Sequence, residues 1–213
     1  MAVNKRLLQG AAAAGGLVPS EHFGVVLYEG DGSSSHSING GKFGAAGYFN
    51  GSSGYVNTGI TNTVGTRTLS VWIYYTGAPS STETIIGGVS SGSAGYTIRL
   101  ETSLLKFQQQ GEASLASTSL SNLNTNAWNH IVGVIDGSTS TLYLNGSSVG
   151  TGAVTDAGTH NIYIGARNGV GTADQFFNGK IDQVRIFQKA LSASEVSTLY
   201  AETDPESLDP LSE

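Results

Sequence analysis

Residues 128–146, WNHIVGVIDGSTSTLYLNG, constrain the fold of this chain more than any other segment. Residues 128–136 carry apolar side chains at both odd and even positions, as expected of a strand buried on both faces. A glycine-containing turn leads into residues 141–145, which alternate apolar and polar side chains as a second strand does. Asn145 and Gly146 tolerate positive φ and mark the next tight turn. The segment predicts a buried β-hairpin, and nothing in it is typical of a reaction centre.

A similar pattern of short apolar segments and turns recurs along most of the chain. Short segments rich in β-branched and aromatic residues alternate with turns rich in Gly, Ser and Thr. Strands are predicted at residues 23–28, 46–50, 54–57, 68–75, 84–89, 95–100, 104–109, 114–119, 128–136, 141–145, 161–165 and 180–187. Many short strands at regular spacing indicate an all-β protein, an antiparallel sandwich of two sheets.

The two ends of the chain differ from the strand-rich part. Residues 1–22 lack a strand pattern, and their apolar stretch is too interrupted for a typical signal peptide, so we expect an N-terminal arm. A short helix is predicted from residue 191 to about 202, with Ser192 as the N-cap and Glu195 completing a capping box. The predicted organisation is therefore an arm, a domain over residues 23–200, and an acidic tail over residues 201–213.

Composition excludes several classes of function. Charged residues make up 12% of the 213 residues, about half of what soluble domains usually carry. The net charge of -6, without a basic cluster, argues against nucleic acid as a partner. The chain has no cysteine, which excludes disulfides, thiolate metal sites and thiol nucleophiles. It also has no apolar run long enough to insert into a membrane.

Three segments together resemble one known family. They are residues 41–59 (GKFGAAGYFNGSSGYVNTG), the hairpin at 128–146, and residues 161–200, which contain NIYIGA and FFNGKIDQVRIFQKALSASEVSTLY. Their order and spacing are similar to the laminin-G-like domains of the concanavalin A-like lectin/glucanase superfamily. The resemblance implies a jelly-roll β-sandwich of two antiparallel sheets with one short C-terminal helix, a fold usually used to bind glycans or proteins.

A second, shorter resemblance concerns residues 23–39, FGVVLYEGDGSSSHSIN, which are similar to the openings of structural proteins of tailed bacteriophages. With the low charge and the retained Met1, it leads to a first hypothesis: a non-enzymatic virion component, a capsid decoration or tail-fibre-associated protein. Its arms would contact other virion proteins, it would form a homo-oligomer, and it would touch host-surface glycans. The alternative is a carbohydrate-binding module of a secreted or cell-surface protein, and the third reading is a glycoside hydrolase.

The pattern of acidic residues argues against catalysis. Retaining glycoside hydrolysis needs two carboxyl groups about 5 Å apart. In the glucanases of the superfamily, these acids alternate along one strand, but residues 180–187 contain only Asp182, and Asp136 precedes a turn. His130 matches the histidine that follows the tryptophan in the family and is interpreted as a core residue. The sequence therefore predicts no catalytic residues and no enzyme.

Two acids are candidates for a metal site. Many family members bind one Ca²⁺ through oxygen ligands. Asp182, in GKID, stands at a position similar to the acidic residue of the family, and Asp31, in EGDG, is the candidate partner. The usual Asp-x-Ser-Gly-Asn-Gly loop is absent, however. We favour the interpretation that Asp182 accepts backbone hydrogen bonds and Asp31 forms an Asx turn.

The alternation of the strands defines a candidate glycan-binding surface. Nine apolar residues are expected to face the core: Ile98, Leu105, Phe107, Leu142, Leu144, Ile162, Ile164, Val184 and Ile186. The opposite faces then carry candidate glycan-binding residues with ring, amide or guanidinium groups suited to sugars: Arg99, Gln108, Tyr143, Tyr163 and Arg185. Residues 168–175 are an alternative location, and ordinary cross-strand tyrosine pairing is the alternative explanation of these side chains.

Overall fold

The computed structural model describes residues 22–24, 35–37, 40–43, 46–62, 65–89, 95–109, 116–154, 160–169 and 172–203. Within them the chain forms sixteen strands and one α-helix. The strands are β1 (His22–Gly24), β2 (Ser35–Ser37), β3 (Ala46–Asn50), β4 (Val56–Asn62), β5 (Arg67–Tyr75), β6 (Glu83–Val89), β7 (Tyr96–Leu100), β8 (Leu104–Gln109), β9 (Ala116–Ser119), β10 (Ala127–Asp136), β11 (Thr139–Leu144), β12 (Ser147–Ala153), β13 (His160–Ile164), β14 (Arg167–Gly169), β15 (Thr172–Asp174) and β16 (Asn178–Phe187). The helix is α1 (Ala193–Tyr200).

The strands pair into two sheets. Sheet A has the order β12-β11-β10-β5-β16-β3-β2, with β1 paired to β16. Sheet B has the order β15-β14-β6-β7-β8-β9, and β13 links β6 to β4. Every pairing is antiparallel except the short parallel contact between β14 and β6. The chain is therefore a two-sheet jelly-roll-like sandwich with one short helix, which confirms the predicted fold class.

The hairpin predicted at residues 128–146 is formed by β10 and β11 and lies in sheet A. β10 pairs with β11 on one side and with β5 on the other, and residues 129–135 are all buried, so that both faces of the strand are covered as predicted. Its inward positions include Gly133, which lies against the ring of Phe107 from sheet B. A Cβ atom at residue 133 would come within 2.6 Å of that ring. The glycine thus lets the two sheets approach closely at this point.

The space between the sheets holds the hydrophobic core. All nine apolar residues predicted to face it belong to the same buried cluster, which also contains Leu69, Ile73, Ile131 and Ile181 from the centre of sheet A. Neighbouring side chains of a strand point to opposite faces, so the residues that alternate with these nine point away from the core. The outer faces of both sheets can therefore be read from the register of the strands.

Helix α1 covers part of the outer face of sheet A. Ser192 caps it and Glu195 completes the capping box, as predicted from the sequence. Its apolar side chains Val196 and Leu199 belong to a second buried cluster, which includes Leu191 and four outward residues of sheet A: Val132, Val134, Tyr143 and Phe187. The helix has eight residues, and no helix in the described part of the chain is long and apolar enough to cross a membrane.

Several sequence predictions differ from the structure in detail or lie outside it. The sequence does not predict strands β2, β12, β14 and β15, whose segments contain few β-branched side chains and no Phe, Tyr or Trp. Asp31 and most of the predicted N-terminal arm and acidic tail lie outside the described residues. The division into an arm, a domain over residues 23–200 and a tail stays a prediction.

Candidate functional site

A first row of side chains crosses the outer face of sheet B. In register, Tyr163 on β13 lies opposite Gly87 on β6, Gly87 opposite Thr97 on β7, and Thr97 opposite Gln108 on β8. Neighbouring strands are about 4.8 Å apart, so the row spans about 14 Å from Tyr163 to Gln108. The two small residues in the middle of the row, Gly87 and Thr97, are both buried.

A second row runs beside the first and carries charge. Thr84, Arg99, Lys106 and Ser117 lie opposite one another on β6, β7, β8 and β9. Glu101 bridges the two cations, with Arg99 Nη2 at 2.6 Å from Oε1 and Lys106 Nζ at 2.7 Å from Oε2. Burial alone would raise the pKa of Glu101, but the hydrogen bonds from Lys106 and Arg99 lower it below its usual value. Glu101 therefore stays ionised and holds both cations in place.

Three buried polar atoms on this face have no hydrogen-bond partner among the described residues. They are Thr97 Oγ1, Arg99 Nε and Gln108 Oε1, on the adjacent strands β7 and β8. Thr97 is 0% exposed and Gln108 is 9% exposed. Leaving such an atom without a partner costs about 1–3 kcal/mol, so natural proteins rarely cluster them without a reason. Because all three atoms are buried, a ligand does not reach them, and the half-buried rings and the charged row are the accessible groups of this face.

Aromatic rings close one end of the first row. Tyr55 stacks on Tyr163 with ring centroids 4.9 Å apart, and Phe176 lies 6.3 Å from Tyr55. Burial, followed by the neighbouring Tyr55, raises the pKa of Tyr163, so its hydroxyl stays protonated at neutral pH. Tyr55 and Phe176 are half-buried and offer ring surface, whereas Tyr163 is 6% exposed and mainly supports Tyr55.

A loop residue ties this end of the face to β6. The backbone N–H of Thr84 donates to the carbonyl of Gln175 at 2.7 Å, and the Thr84 hydroxyl donates to Gln175 Oε1 at 2.9 Å. Gln175 has φ of 50°, a left-handed conformation that the two bonds hold in place. The adjacent Phe176 is thereby fixed beside Tyr55.

The structure separates the five predicted glycan-binding residues. Arg99, Gln108 and Tyr163 share the outer face of sheet B, whereas Tyr143 and Arg185 lie on the outer face of sheet A. Tyr143 is packed in the cluster beneath α1. Arg185 pairs with Glu202 just beyond the helix, with Nη1 at 2.6 Å from Oε2. Alternation alone assigned all five to outward positions, but it could not tell the two outer faces apart.

His130 occupies the same face of sheet A and is buried. Its Nε2 is 2.9 Å from the hydroxyl of Ser70, and its ring lies nearly parallel to those of Trp72 and Tyr200, with centroids 4.9 and 6.1 Å away. Burial lowers the pKa of His130 to about 3, with smaller contributions from the charges of Arg185 and Lys42. The residue is 1% exposed, so a substrate does not reach it, and the interpretation of a core histidine fits this position.

The carboxylate of Asp182 is buried and accepts hydrogen bonds from the backbone. It is 4% exposed, its Oδ2 accepts a bond from the Phe43 N–H at 3.1 Å and its Oδ1 accepts one from the Gln183 N–H at 2.7 Å. Burial raises its pKa, while these backbone bonds act in the opposite direction. This geometry agrees with the backbone-acceptor interpretation of Asp182. Asp31 lies outside the described residues, which contain no cluster of three or more His, Cys, Asp or Glu suited to a metal ion.

Every acid of sheet B in the described part of the chain has a partner. Glu83 accepts a bond from the Asn178 N–H at 3.1 Å, Asp174 is paired twice with Arg167, and Glu101 is bridged as described above. Burial raises the pKa of Glu83, and the bond from Asn178 partly offsets that effect. These partners anchor each carboxylate to its own part of the fold.

Most of the sandwich matches a known protein family. Residues 50–197 match the family model of a laminin G domain of the concanavalin A-like lectin/glucanases superfamily. Because the match covers more than half of the chain, the chain belongs to this superfamily, as the three sequence segments predicted. No curated protein sequence matches the chain.

Solved structures share the fold at low sequence identity. Domain 4 of AbnA, a GH43 extracellular arabinanase from Geobacillus stearothermophilus, in complex with arabinotriose, is 24% identical with a TM-score of 0.59, covering 80% of this chain and 82% of that one. The CBM40 of the Ruminococcus gnavus IT-sialidase, bound to α2,3-sialyllactose, is 13% identical with a TM-score of 0.53, covering 65% and 84%. A heptameric SAP-like pentraxin from Limulus polyphemus is 18% identical with a TM-score of 0.57, covering 74% and 82%.

Sequence reasoning missed four residues of the face on sheet B: Tyr55, Thr97, Glu101 and Phe176. Tyr55 precedes the inward-facing Val56, and Thr97 precedes the inward-facing Ile98, so alternation would have placed both outward. The partnership of Glu101 with Arg99 and Lys106 depends on the register of the β7–β8 hairpin. Phe176 lies in a loop, where no periodic signal exists.

Proposed function

We propose that this chain is a non-catalytic carbohydrate-binding module whose binding face is the outer face of sheet B. The half-buried aromatic pair Tyr55 and Phe176, on the same face as the charged row of Arg99, Glu101 and Lys106, carries the proposal. Sugar hydroxyls both donate and accept, so one saccharide can satisfy donors and acceptors together. The half-buried rings of Tyr55 and Phe176 offer apolar surface for the C–H faces of the same ligand.

The comparisons support a binding role more than the virion role derived from the short phage-like segment. Two of the structures named above are a carbohydrate-binding module and a domain in complex with an oligosaccharide. None of the three is a virion protein. We therefore place the chain in a secreted or cell-surface protein, as one relative belongs to an enzyme described as extracellular. A homo-oligomer stays part of the proposal, supported by the heptameric pentraxin.

The absence of catalysis is also proposed. Acid–base or nucleophilic hydrolysis of a glycoside needs two carboxyl groups facing one bond. Glu83, Glu101 and Asp174 each have a hydrogen-bonding or ionic partner in the fold. Their separate partners favour a structural role for all three.

The test is titration of the purified protein with a panel of oligosaccharides that includes arabinotriose. Phe176→Ala and Tyr55→Ala are expected to weaken binding at least tenfold, because each removes a half-buried ring that the ligand contacts. Tyr48→Ala is the matched control, because Tyr48 is an exposed tyrosine (43%) on a strand of sheet A. Equal loss in all three variants, or no loss in any, would contradict the assignment to sheet B. Release of reducing sugar by the wild-type protein would contradict the non-catalytic role.

A further inference from the structure

We infer that Glu101 makes this face selective for neutral saccharides over acidic ones; the inference rests on the proposed carbohydrate-binding function. Glu101 stands at the end of β7 and contacts the two cations of the charged row, Arg99 and Lys106. An acidic sugar that approached those cations would have to compete with a carboxylate already bonded to both of them. The carboxylate of Glu101 therefore disfavours acidic saccharides, because it already occupies both cations.

The geometry of the bridge explains why it persists when ligand binds. Its two short contacts use different oxygens of Glu101, one for each cation. The side chains of Arg99 and Lys106 are 12% and 19% exposed and that of Glu101 is 25% exposed, so the three groups are shielded from much of the solvent. Separating such a bridge is more costly than separating an exposed pair. A neutral ligand can bind beside the bridge while the bridge stays closed.

The experiment measures selectivity with paired neutral oligosaccharides and the same oligosaccharides capped by an acidic sugar, for example lactose and α2,3-sialyllactose. The wild-type protein is expected to bind neutral members at least tenfold more tightly than their acidic partners. Glu101→Gln is expected to reduce that ratio about tenfold, since freed cations gain a charge-assisted bond to the acidic sugar. Glu202→Gln is the matched control, because Glu202 also pairs with an arginine at 2.6 Å, but on sheet A, and it should leave the ratio unchanged.

The outcomes separate the inference from the function on which it rests. A wild-type preference for the acidic members would overturn the inference and leave the binding function intact, and this measurement needs no variant. An unchanged ratio in a folded Glu101→Gln protein, checked by circular dichroism, would overturn it as well. Absence of binding to every member of the panel would instead overturn the proposed function.

Discussion

Gly133 of sheet A lies directly against the ring of Phe107 of sheet B, and a Cβ atom at residue 133 would come within 2.6 Å of the ring. Gly133 sits in register between Leu69 and Leu142, the inward residues of the neighbouring strands. The two sheets approach each other closely at this contact, which joins β10 of the β10–β11 hairpin to β8.

Gly133→Ala is expected to destabilise the protein by about 1–3 kcal/mol, because a methyl group there overpacks a closed core. The free energy of unfolding from urea titration measures the effect. Phe107→Leu alone should also destabilise, since it removes ring volume. The double variant should lose less than the sum of the two single losses, because the smaller side chain makes room for the methyl group. Strict additivity would mean that the two residues do not share this space.

His130 should make stability depend on pH. Its pKa is about 3 in the folded protein and 6.5 for an unperturbed histidine, so between these values the unfolded chain binds more protons. Stability from this residue is therefore full above about pH 6.5 and falls as the pH drops towards 3. The loss is about 1.4 kcal/mol per pH unit, or roughly 3 kcal/mol at about pH 4.5.

Comparison of the wild-type protein with His130→Gln isolates this effect. Burial raises the pKa values of Asp182 and Glu202 in the folded state, so the stability linked to those acids changes with pH in the opposite sense. Urea titrations of both proteins at about pH 7 and about pH 4.5 should show a smaller acid loss in the variant. Equal losses would mean that His130 is protonated in the fold or is accessible to solvent.

Asp182→Ala is expected to cost about 1–3 kcal/mol, because it removes a buried carboxylate and leaves the half-buried backbone N–H of Phe43 without its acceptor. The segment around Phe43 should then lose protection from amide hydrogen exchange before the rest of sheet A does. Asp136→Ala is a suitable control, because Asp136 is an exposed acid at the end of β10. A loss of similar size in the control would argue against a specific role for Asp182.

Ser192→Ala should destabilise the protein by about 1 kcal/mol, since the Ser192 side chain accepts the Glu195 N–H at the N-terminus of α1. Ser197→Ala, at an exposed position within the same helix, should change the free energy of unfolding by a few tenths of a kcal/mol at most. Thermal unfolding followed by circular dichroism compares the two. An equal effect of both substitutions would mean that the cap does not stabilise the helix.

The sequence determined the fold more fully than the site. Periodicity alone placed the inward residues of β7, β8, β11, β13 and β16, because burial imposes the alternation directly. The capping box of α1 was likewise readable, since it is local in sequence. The helix, however, covers Tyr143, a contact between parts of the chain that no local pattern specifies. The bridge at Glu101 and the stack of Tyr55 on Tyr163 depend in the same way on the pairing of distant strands.

Both α1 and β1 are attached to sheet A, so the two sheets of the sandwich differ in their relation to the ends of the described chain. β1 pairs with β16, and Tyr200 at the end of α1 stacks on Trp72, so the described chain is entered and left on the same sheet. A tag or support attached at either of these points would lie on the side of sheet A. Under the proposed function, many copies fixed to one support at these points would present the outer face of sheet B in a common direction, and several weak sugar contacts would then combine through avidity.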